Sequence, residues 1–410
     1  MDAVILAAGE GTRLRPLTST RPKPMLPVGG KTILEWGLEA LAAGGVDKAV
    51  IVVGYKKEVI SDFFGKEYAG IKIEYVEQKE QLGTAHAVSV AEGRVSGDFY
   101  VMNGDLLVSN SLIEKFIGDH KKAKSHNSMC LVEAEDPKQF GIVELKGNLV
   151  KGIEEKPEKP KSNLANAGIY IFGQEIFDAI KKVKKSRRLE YEITDAIEML
   201  IAKERMCGFP VGGTWMDIGR PWDLLAANEI ILKDMPAGID KKAEIEPYAV
   251  LKGKVHVGKG TVIRSGSYIE GPCYIGENCT IGPNCYIRPS TFIRNKVHIG
   301  NAVEVKNSII MSNTNVGHLS YVGDSILGEN CNFGAGTNVA NLRVDNDVVR
   351  IDVKGTLMKS GRRKFGCIMG DDVKTGINVS IMPGRSIYPG SRIEAGSVVK
   401  NTIYSEEPGI

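Results

Sequence analysis

The stretch IEGPCYIGENCTIGPNCYIRPSTFIRNKVHI, residues 269–299, places isoleucine at 269, 275, 281, 287, 293 and 299. An interval of six matches neither the 3.6-residue turn of a helix nor the two-residue alternation of a strand. It is the period of a hexapeptide solenoid, in which each unit of six forms one flat face and successive coils stack at the strand spacing of about 4.8 Å. Followed outward, the interval reaches back through Ile263, Val257 and Leu251 to Ile245 and forward through Val305 to Met311, always on a large aliphatic residue. Two residues before these positions stand Cys273, Cys279, Cys285, Thr291, Val297 and Val303, which are small or medium-sized. The three cysteines therefore read as packing residues. The phase slips near Val316, resumes at Leu327, Phe333 and Val339, is interrupted by the polar, basic segment 341–364, and returns at Met369, Thr375, Ile381, Ile387, Ile393 and Val399. Such a solenoid can be a spacer, an oligomerisation post or a catalytic body, and its interruptions are where function is grafted.

Upstream of the solenoid the pattern changes. The first 225 or so residues alternate short apolar runs (Ala3–Ala7, Lys48–Val53, Ile71–Val76, Asp98–Met102) with helical patterns (Leu34–Ala43, Glu58–Phe64, Ala85–Glu92). Strands that are apolar nearly throughout and separated by helices predict a Rossmann-like, mostly parallel α/β sheet covered on both faces, with ligands at the carboxyl ends of its strands. PWDLLAANEIILKDM, beginning at Pro221, reads as a helix with proline in its first turn, stopped by Pro236 and Gly238. The expected division is a first domain over 1–225, a helical linker over 226–242, the solenoid over 243–402 and a tail over 403–410.

Composition excludes several classes. The 410 residues carry 53 basic and 50 acidic side chains, a net +3, with 42% hydrophobic residues. That balance gives no reason to expect nucleic acid as a partner. The N-terminal MDAVILAAGEG has no basic leader region, and its apolar run is too short to span a membrane. Seven cysteines without a C-x-x-C pair, and no histidine at zinc-ligand spacing, suit reduced thiols and a cytoplasmic protein without a structural metal.

The first apolar run leads into LAAGEGTRLRPLTSTRPKP, residues 6–24. Gly9 and Gly11 let the backbone approach a ligand, and successive N–H groups there can cradle an anion. The dinucleotide fingerprint needs a third glycine where Leu14 stands, and the P-loop sequence is absent. Arg13, Arg15, Arg21 and Lys23 follow instead, interrupted by Pro16, Pro22 and Pro24. Because proline opposes a helix here, these cations are expected on an extended, stiffened segment that curls round a polyphosphate and presents Arg13 and Lys23 to it. A solvated basic loop is the alternative.

This motif, with Pro27–Val28 after it, resembles the signature of the sugar-1-phosphate nucleotidylyltransferases. So do QKEQLGTAHA (78–87), NGD (103–105), FGIVEL (140–145), EEKPEKPKSNLANAGIY (154–170), EYEITDAI (190–197) and WMDIG (215–219). The resemblance implies that Leu6, Ala8, Gly9, Gly11 and Thr12 bind the nucleotide and that Arg13 holds the departing pyrophosphate. It implies that Lys23 neutralises the α-phosphate and that Gln78, Gly83 and Thr84 read a pyrimidine edge. Asp105 and Asp217 would hold Mg²⁺, and Gly141, Glu155, Lys156 and Asn166 would grip the sugar phosphate. In-line displacement of pyrophosphate needs positioning and charge neutralisation rather than a side-chain nucleophile. His86 reads as a packed or surface histidine.

In the second half, GHLSYVGDSILGENCNFGAGTNVAN (317–341), with YIRP (286–289) and GNAVEVKN (300–307) upstream, resembles the acetyltransferase half of the bifunctional uridylyltransferase/acetyltransferases that make UDP-N-acetylglucosamine. The resemblance implies a left-handed parallel β-helix, a homotrimer with sites between subunits, and acetyl-CoA as co-substrate. His318 would be the general base, an imidazole being neutral at cytoplasmic pH with an ordinary pKa of about 6.5. Arg288 and Lys306 would bind the sugar phosphate; Tyr321, Asn332, Asn341 and Lys364 would line the sugar and acetyl pocket; Ala335 would face acetyl-CoA. The chain departs from the bacterial pattern in three places. It has 22 residues between Asn341 and Lys364, which makes Arg362 and Arg363 competitors of Lys364. Asp217 stands where the uridylyltransferases have asparagine, as in the thymidylyltransferase branch, and Ala167 where a threonine would touch an N-acetyl group. The mixture resembles the archaeal bifunctional relatives.

The expected function is then N-acetylation of glucosamine 1-phosphate, or galactosamine 1-phosphate, followed by transfer of UMP or dTMP from UTP or dTTP to the acetylated sugar phosphate. The competing expectations are a single-activity pyrophosphorylase of the glucose-1-phosphate or mannose-1-phosphate type with a non-catalytic solenoid, and an inactive regulatory scaffold.

Overall fold

Strand Asp2–Ala7, whose residues 3–5 are wholly buried, lies inside a ten-stranded sheet in the computed structural model, which describes residues 1–404. The chain packs as two units. The first comprises Met1–Glu10, Pro22–Met25 and Ile33–Asp217; the second comprises Gly11–Arg21, Leu26–Thr32 and Ile218 onward.

In the first unit the strands run in the order Gly141–Lys146, Leu149–Glu155, Cys207–Pro210, Ser128–Glu133, Leu164–Phe172, Phe99–Asn103, Asp2–Ala7, Lys48–Val53, Ile71–Glu77 and Glu67–Tyr68. Phe99–Asn103, Asp2–Ala7, Lys48–Val53 and Ile71–Glu77 are parallel neighbours, and two apolar clusters cover them from either face. This is the doubly covered sheet expected from their uninterrupted apolar runs. The expectation of a mostly parallel sheet needs correction beyond residue 105. Leu164–Phe172 runs antiparallel to both of its long neighbours, and Gly141–Lys146 pairs antiparallel with Leu149–Glu155 across a two-residue turn at Gly147, φ +61°. A connection that short can only join antiparallel strands.

In the second unit, helix Pro221–Asp234 leads into three eight-stranded parallel sheets that the chain visits in rotation, an arrangement consistent with a β-helix. The isoleucine series becomes stacked ladders. Leu251, Ile269, Ile287, Val305, Val322, Val339, Ile381 and Val399 stand in register on one face, and Val257, Ile275, Ile293, Ile310, Leu327, Met369 and Ile387 on another. Coils are eighteen residues long at first, as in Val257 opposite Ile275, and then seventeen, as in Ile293 opposite Ile310. The slip therefore comes before Val316. Ile310, not Met311, takes the ladder place: left-handed Asn307, φ +44°, turns the corner two residues after Val305, whereas Asn278 and Asn284 turn it three residues after Ile275 and Ile281, so the step from Val305 is five residues. Met311 is buried beside it. Asparagines at other corners, among them Asn278, Asn284, Asn330 and Asn378, adopt the same conformation, which this side chain tolerates better than most.

All seven cysteines are free thiols, and burial pushes Cys130, Cys273, Cys331 and Cys367 up to about 12. Between Val339 and Cys367 the solenoid throws out a loop with a hairpin, Arg350–Val353 against Thr356–Lys359, whose Val349, Ile351 and Phe365 are buried. Of the expected tail, residues 405–410 lie outside the described residues.

Candidate functional sites

The first unit gathers its candidate residues at the carboxyl edge of the parallel strands. NGD follows strand Phe99–Asn103, and the next strand, Leu106–Val108, pairs antiparallel with Trp215–Asp217 so that Asp217 stands opposite Leu106. That pairing brings Asp105 and Asp217 together although 112 residues separate them. Lys23 lies between them, its Nζ 2.5 Å from Asp105 Oδ2 and 3.7 Å from Asp217 Oδ1. The lysine is buried. Asp105 Oδ1 is buried as well and, among the described residues, accepts no hydrogen bond. Gly104 permits the approach, since a Cβ there would come within 3.0 Å of the Leu6 carbonyl oxygen. Two carboxylates with an unclaimed buried oxygen fit Mg²⁺, which keeps most of its waters and takes few protein ligands beside substrate phosphates.

Ala8 is buried and Gly9 exposed, with open space where a Cβ would stand. The Ala8 carbonyl accepts from the Tyr55 N–H and the Gln81 side chain, which fixes the strand end. Gln78 is buried; its Nε2 donates to the Gly83 carbonyl at 3.1 Å and lies 3.0 Å from His86 Nδ1. Half-buried His86 is thereby a support for Gln78, a role the sequence did not disclose. Gly83 has φ +108°, and a Cβ there would meet the Tyr191 carbonyl oxygen at 2.5 Å. The Thr84 hydroxyl accepts the Ile193 N–H at 2.9 Å, so this side chain also holds the start of helix Ile193–Ile201.

Gly141 and Glu155 are register partners, and the adjacent pair Ile142 and Ala165 carries the contact to the strand that holds Asn166. The Lys156 N–H donates to the Phe140 carbonyl, and its ammonium lies 3.9 Å from Glu155 Oε1, both side chains being more than half exposed. The Asn166 amide donates to the Tyr170 hydroxyl at 2.8 Å while its oxygen accepts the Gly168 N–H. Ala167 is buried, and its carbonyl accepts the Trp215 indole N–H.

The basic stretch is not extended. Three 3-10 turns, Thr12–Leu14, Leu17–Ser19 and Lys23–Met25, fold it, closed by N–H groups of Leu14, Ser19 and Met25 onto the carbonyls of Gly11, Pro16 and Pro22. A single turn of this kind tolerates proline at its start, where no N–H is needed, so Pro16 and Pro22 begin turns rather than prevent them. Gly11 is left-handed, φ +65°. Arg13 is exposed. Arg21 is no free cation for a polyphosphate. Buried in the second unit, it donates to Glu329 at 2.9 Å and Asp371 at 2.5 Å, and Thr20 adds a hydrogen bond to Asp371 at 2.6 Å.

In the second unit the structure gathers three of the candidate acetyl-transfer residues around a fourth group, Asp324. Lys306 stands in register with Gly323, so strands Glu304–Lys306 and Tyr321–Gly323 carry them on successive coils. Lys306 Nζ lies 3.4 Å from Asp324 Oδ2, and the Asn341 amide donates to the same oxygen at 2.5 Å and to the Tyr321 hydroxyl at 3.1 Å. Burial, with the Asp324 and Glu304 carboxylates adding to it, raises the Tyr321 phenol above its ordinary pKa. Arg288 belongs to the same sheet face but pairs with Glu304 at 2.9 Å and lies over the Tyr286 ring. His318 is exposed at the end of strand Asn315–His318, in register with Asn301; its carbonyl accepts the Gly336 N–H and the Ser320 hydroxyl. That contact puts Ala335 one coil away from His318. Asn332 is exposed between Asn315 and Lys374 in the ladder. Of the three competing cations, Arg362 pairs with Glu229 of helix Pro221–Asp234, Arg363 donates to the Asn346 carbonyl, and exposed Lys364 forms a backbone bridge with Leu342. Asp324, Glu229 and Asn307 are the groups that sequence reading missed.

A family model described as nucleotidyl transferase matches residues 2–234, and one described as the GMPPB C-terminal domain matches residues 269–403. The bifunctional protein GlmU of Methanocaldococcus jannaschii is 46% identical over 99% of this chain and 96% of its own length. GlmU of Methanococcus maripaludis strain C7 is 48% identical over 98% and 95%. The bifunctional sugar-1-phosphate nucleotidylyltransferase/acetyltransferase of Sulfurisphaera tokodaii is 42% identical over 98% of both chains. Among solved structures, a UDP-glucose pyrophosphorylase complexed with UDP-glucose aligns with 57% of this chain and 99% of that one at 26% identity and a TM-score of 0.53.

Proposed function

Because the chain belongs to the family of bifunctional sugar-1-phosphate nucleotidylyltransferase/acetyltransferases, we propose that it catalyses both reactions in the synthesis of a nucleotide-linked N-acetylamino sugar. The second half moves the acetyl group of acetyl-CoA to the amine of glucosamine 1-phosphate. The first half transfers UMP, or dTMP, from the nucleoside triphosphate to the acetylated sugar 1-phosphate and releases pyrophosphate. The observation that carries the reading is Lys23 held between Asp105 and Asp217 at the carboxyl edge of the parallel strands.

In the nucleotidyl step a sugar phosphate oxygen attacks the α-phosphorus, and the bond to the bridging oxygen of pyrophosphate breaks. Lys23 neutralises charge on the α-phosphoryl oxygens and Arg13 meets the departing pyrophosphate, so catalysis is positioning and electrostatics. Gly9, Gly11 and Thr12 bring backbone N–H groups to the phosphates, with Leu6 and Ala8 beside the nucleoside. Gln78, Gly83 and Thr84 read the pyrimidine, and Gly141, Glu155, Lys156 and Asn166 hold the sugar. Asp105 and Asp217 would hold Mg²⁺, which when bound supplies further charge neutralisation at the phosphates.

In the acetyl step the amine nitrogen attacks the thioester carbonyl, His318 takes the proton from that nitrogen, and the coenzyme A thiol leaves with a proton. Arg288 and Lys306 bind the sugar phosphate, Tyr321, Asn332 and Asn341 line the pocket, and Ala335 borders acetyl-CoA. In this reading the second half is a left-handed β-helix assembled as a homotrimer, the domains divide after residues 225, 242 and 402, and the protein is cytoplasmic. Among the described residues, no helix is long and apolar enough to cross a membrane.

The match of residues 269–403 to the GMPPB C-terminal domain favours a second reading, a single-activity pyrophosphorylase with a non-catalytic solenoid. The grouping of Lys306, Tyr321 and Asn341 round one carboxylate and the full-length similarity to bifunctional relatives weigh against it. Two assays on one preparation decide. Pyrophosphate release from UTP and N-acetylglucosamine 1-phosphate tests the first activity, and coenzyme A release from acetyl-CoA and glucosamine 1-phosphate tests the second. His318→Ala should abolish the second alone; coenzyme A release at the unmodified rate refutes the acetyltransferase assignment.

A further inference from the structure

We propose that the dipeptide Gly323–Asp324 is the positioning element of the acetyl-transfer site, with the Asp324 carboxylate setting the Lys306 ammonium to receive the phosphate of the amino sugar while it anchors the Asn341 amide beside the Tyr321 hydroxyl. The inference rests on the acetyltransferase reading above and names a part of that site which touches no substrate. Asp324 occupies a coil corner in the left-handed conformation, φ +49°, and is only 2% exposed. A carboxylate so placed must be fully engaged, since an unpaired buried charge is costly. Its Oδ1 accepts the Asn307 amide at 2.8 Å; its Oδ2 accepts the Asn341 amide at 2.5 Å and faces Lys306 Nζ at 3.4 Å. The Asn307 amide donates also to Glu229 Oε1 at 2.9 Å, so the helix that precedes the solenoid steadies the corner from behind.

These contacts leave donors to spare. An ammonium has three hydrogens and Asp324 engages one, so Lys306 keeps two for phosphate oxygens. The Tyr321 oxygen accepts from Asn341, which leaves its own hydrogen to give, and the raised phenol pKa keeps that hydrogen in place. A group with charged, fixed donors of this kind suits a phosphate monoester.

Gly323 supplies the room. A Cβ on this residue would stand 2.4 Å from the Tyr321 hydroxyl and 2.7 Å from the Asn341 amide nitrogen, well inside contact distance, so any side chain would push the pair apart. The glycine is needed for this space, not for its backbone angle.

Asp324→Asn keeps the shape and one acceptor while removing the charge. In steady-state coenzyme A release it should raise the KM for glucosamine 1-phosphate about tenfold, the effect of weakening a charged hydrogen bond. The KM for acetyl-CoA and the rate of pyrophosphate release from UTP should stay within about twofold of the unmodified protein. Since the carboxylate acts through Lys306, adding Asp324→Asn to Lys306→Met should change the sugar phosphate KM by less than about twofold. Gly323→Ala should reproduce the selective rise in that KM.

The proposal is overturned if Asp324→Asn leaves the sugar phosphate KM unchanged, or raises both KM values alike. It is overturned equally if the variant loses pyrophosphate release and melts early, or if its full effect persists in the Lys306→Met background. An unmodified protein that releases no coenzyme A would instead remove the acetyltransferase reading itself.

Discussion

Replacing Lys23 by methionine separates its part in chemistry from its part in structure. Methionine keeps the length and apolar stem of the side chain and deletes the charge. In the folded protein the loss falls on Asp105, 2.5 Å away, and on Asp217, 3.7 Å away. Removing one partner of a fully buried pair costs about 3–5 kcal/mol. Here the carboxylate side chains are 30% and 47% exposed, so water takes over much of the solvation, and the structural cost falls to about 1 kcal/mol. That corresponds to a melting shift of roughly 2–4 °C for a domain this size. The transition state loses more, because charge develops on phosphoryl oxygens where a fixed cation has no substitute. Removing one such group costs about 10²–10³ in kcat, or about 3–4 kcal/mol. The assay is pyrophosphate release at saturating UTP and N-acetylglucosamine 1-phosphate, with coenzyme A release from the same preparation as the control. A kcat within threefold of the unmodified protein would refute the placing of Lys23 opposite the α-phosphorus, and parallel loss of both activities would make its role structural.

Asp105→Asn should raise the Mg²⁺ concentration needed for half-maximal pyrophosphate release about tenfold, read from a Mg²⁺ titration at fixed UTP, while coenzyme A release stays indifferent to the metal. Ile287→Ala deletes a fully buried rung of a ladder flanked by Ile269 and Val305 and should cost roughly 2–5 kcal/mol, read as a lowered urea midpoint of the second half. His120, buried against the Ser128 hydroxyl, has its pKa lowered by burial against the opposing pull of Asp98. The unfolded chain therefore takes up this proton first, near pH 6.5, so the neutral ring's contribution to stability is present above that pH and is lost as pH falls through the lower folded pKa. His120→Asn should flatten that part of the melting temperature profile between pH 8 and pH 5.

Periodicity carried the second half of the fold because every coil must bury one aliphatic residue per face, and nothing else in a solenoid forces a period of six. Its failures were local. The five-residue step from Val305 to Ile310 was invisible because Ile310 and Met311 are both apolar, and only the left-handed corner at Asn307 decides which of them enters the ladder. In the first half, strand existence was legible from apolar runs but direction was not. The antiparallel course of Leu164–Phe172 depends on pairings with Phe99–Asn103 and Ser128–Glu133, which no local pattern encodes.

The sites divide along the same physical line. The groups proposed to face a ligand, among them Gly9, Lys23, Asp105 and His318, could be named from the sequence because they stand in motifs that resemble those of a known family. Groups that hold those residues could not. Asp324 follows a glycine at a turn, where an aspartate needs no explanation beyond local geometry. Glu229 occupies a helix that reads as an ordinary linker, and Arg21 sits among cations that all invite the same phosphate. What distinguishes these three is a partner outside the local segment: Asp324 and Arg21 are buried against Asn341 and Asp371, and the partly exposed Glu229 pairs with Arg362. A charge that leaves water must find such a partner or cease to be a charge. The basic stretch Arg13–Lys23 shows the consequence, since three of its four cations have unlike surroundings: Lys23 sits between two aspartates, Arg13 faces solvent, and Arg21 is committed to Asp371 and Glu329. Charge density along a sequence therefore overstates what a loop can offer a phosphate by the number of cations already neutralised within the fold.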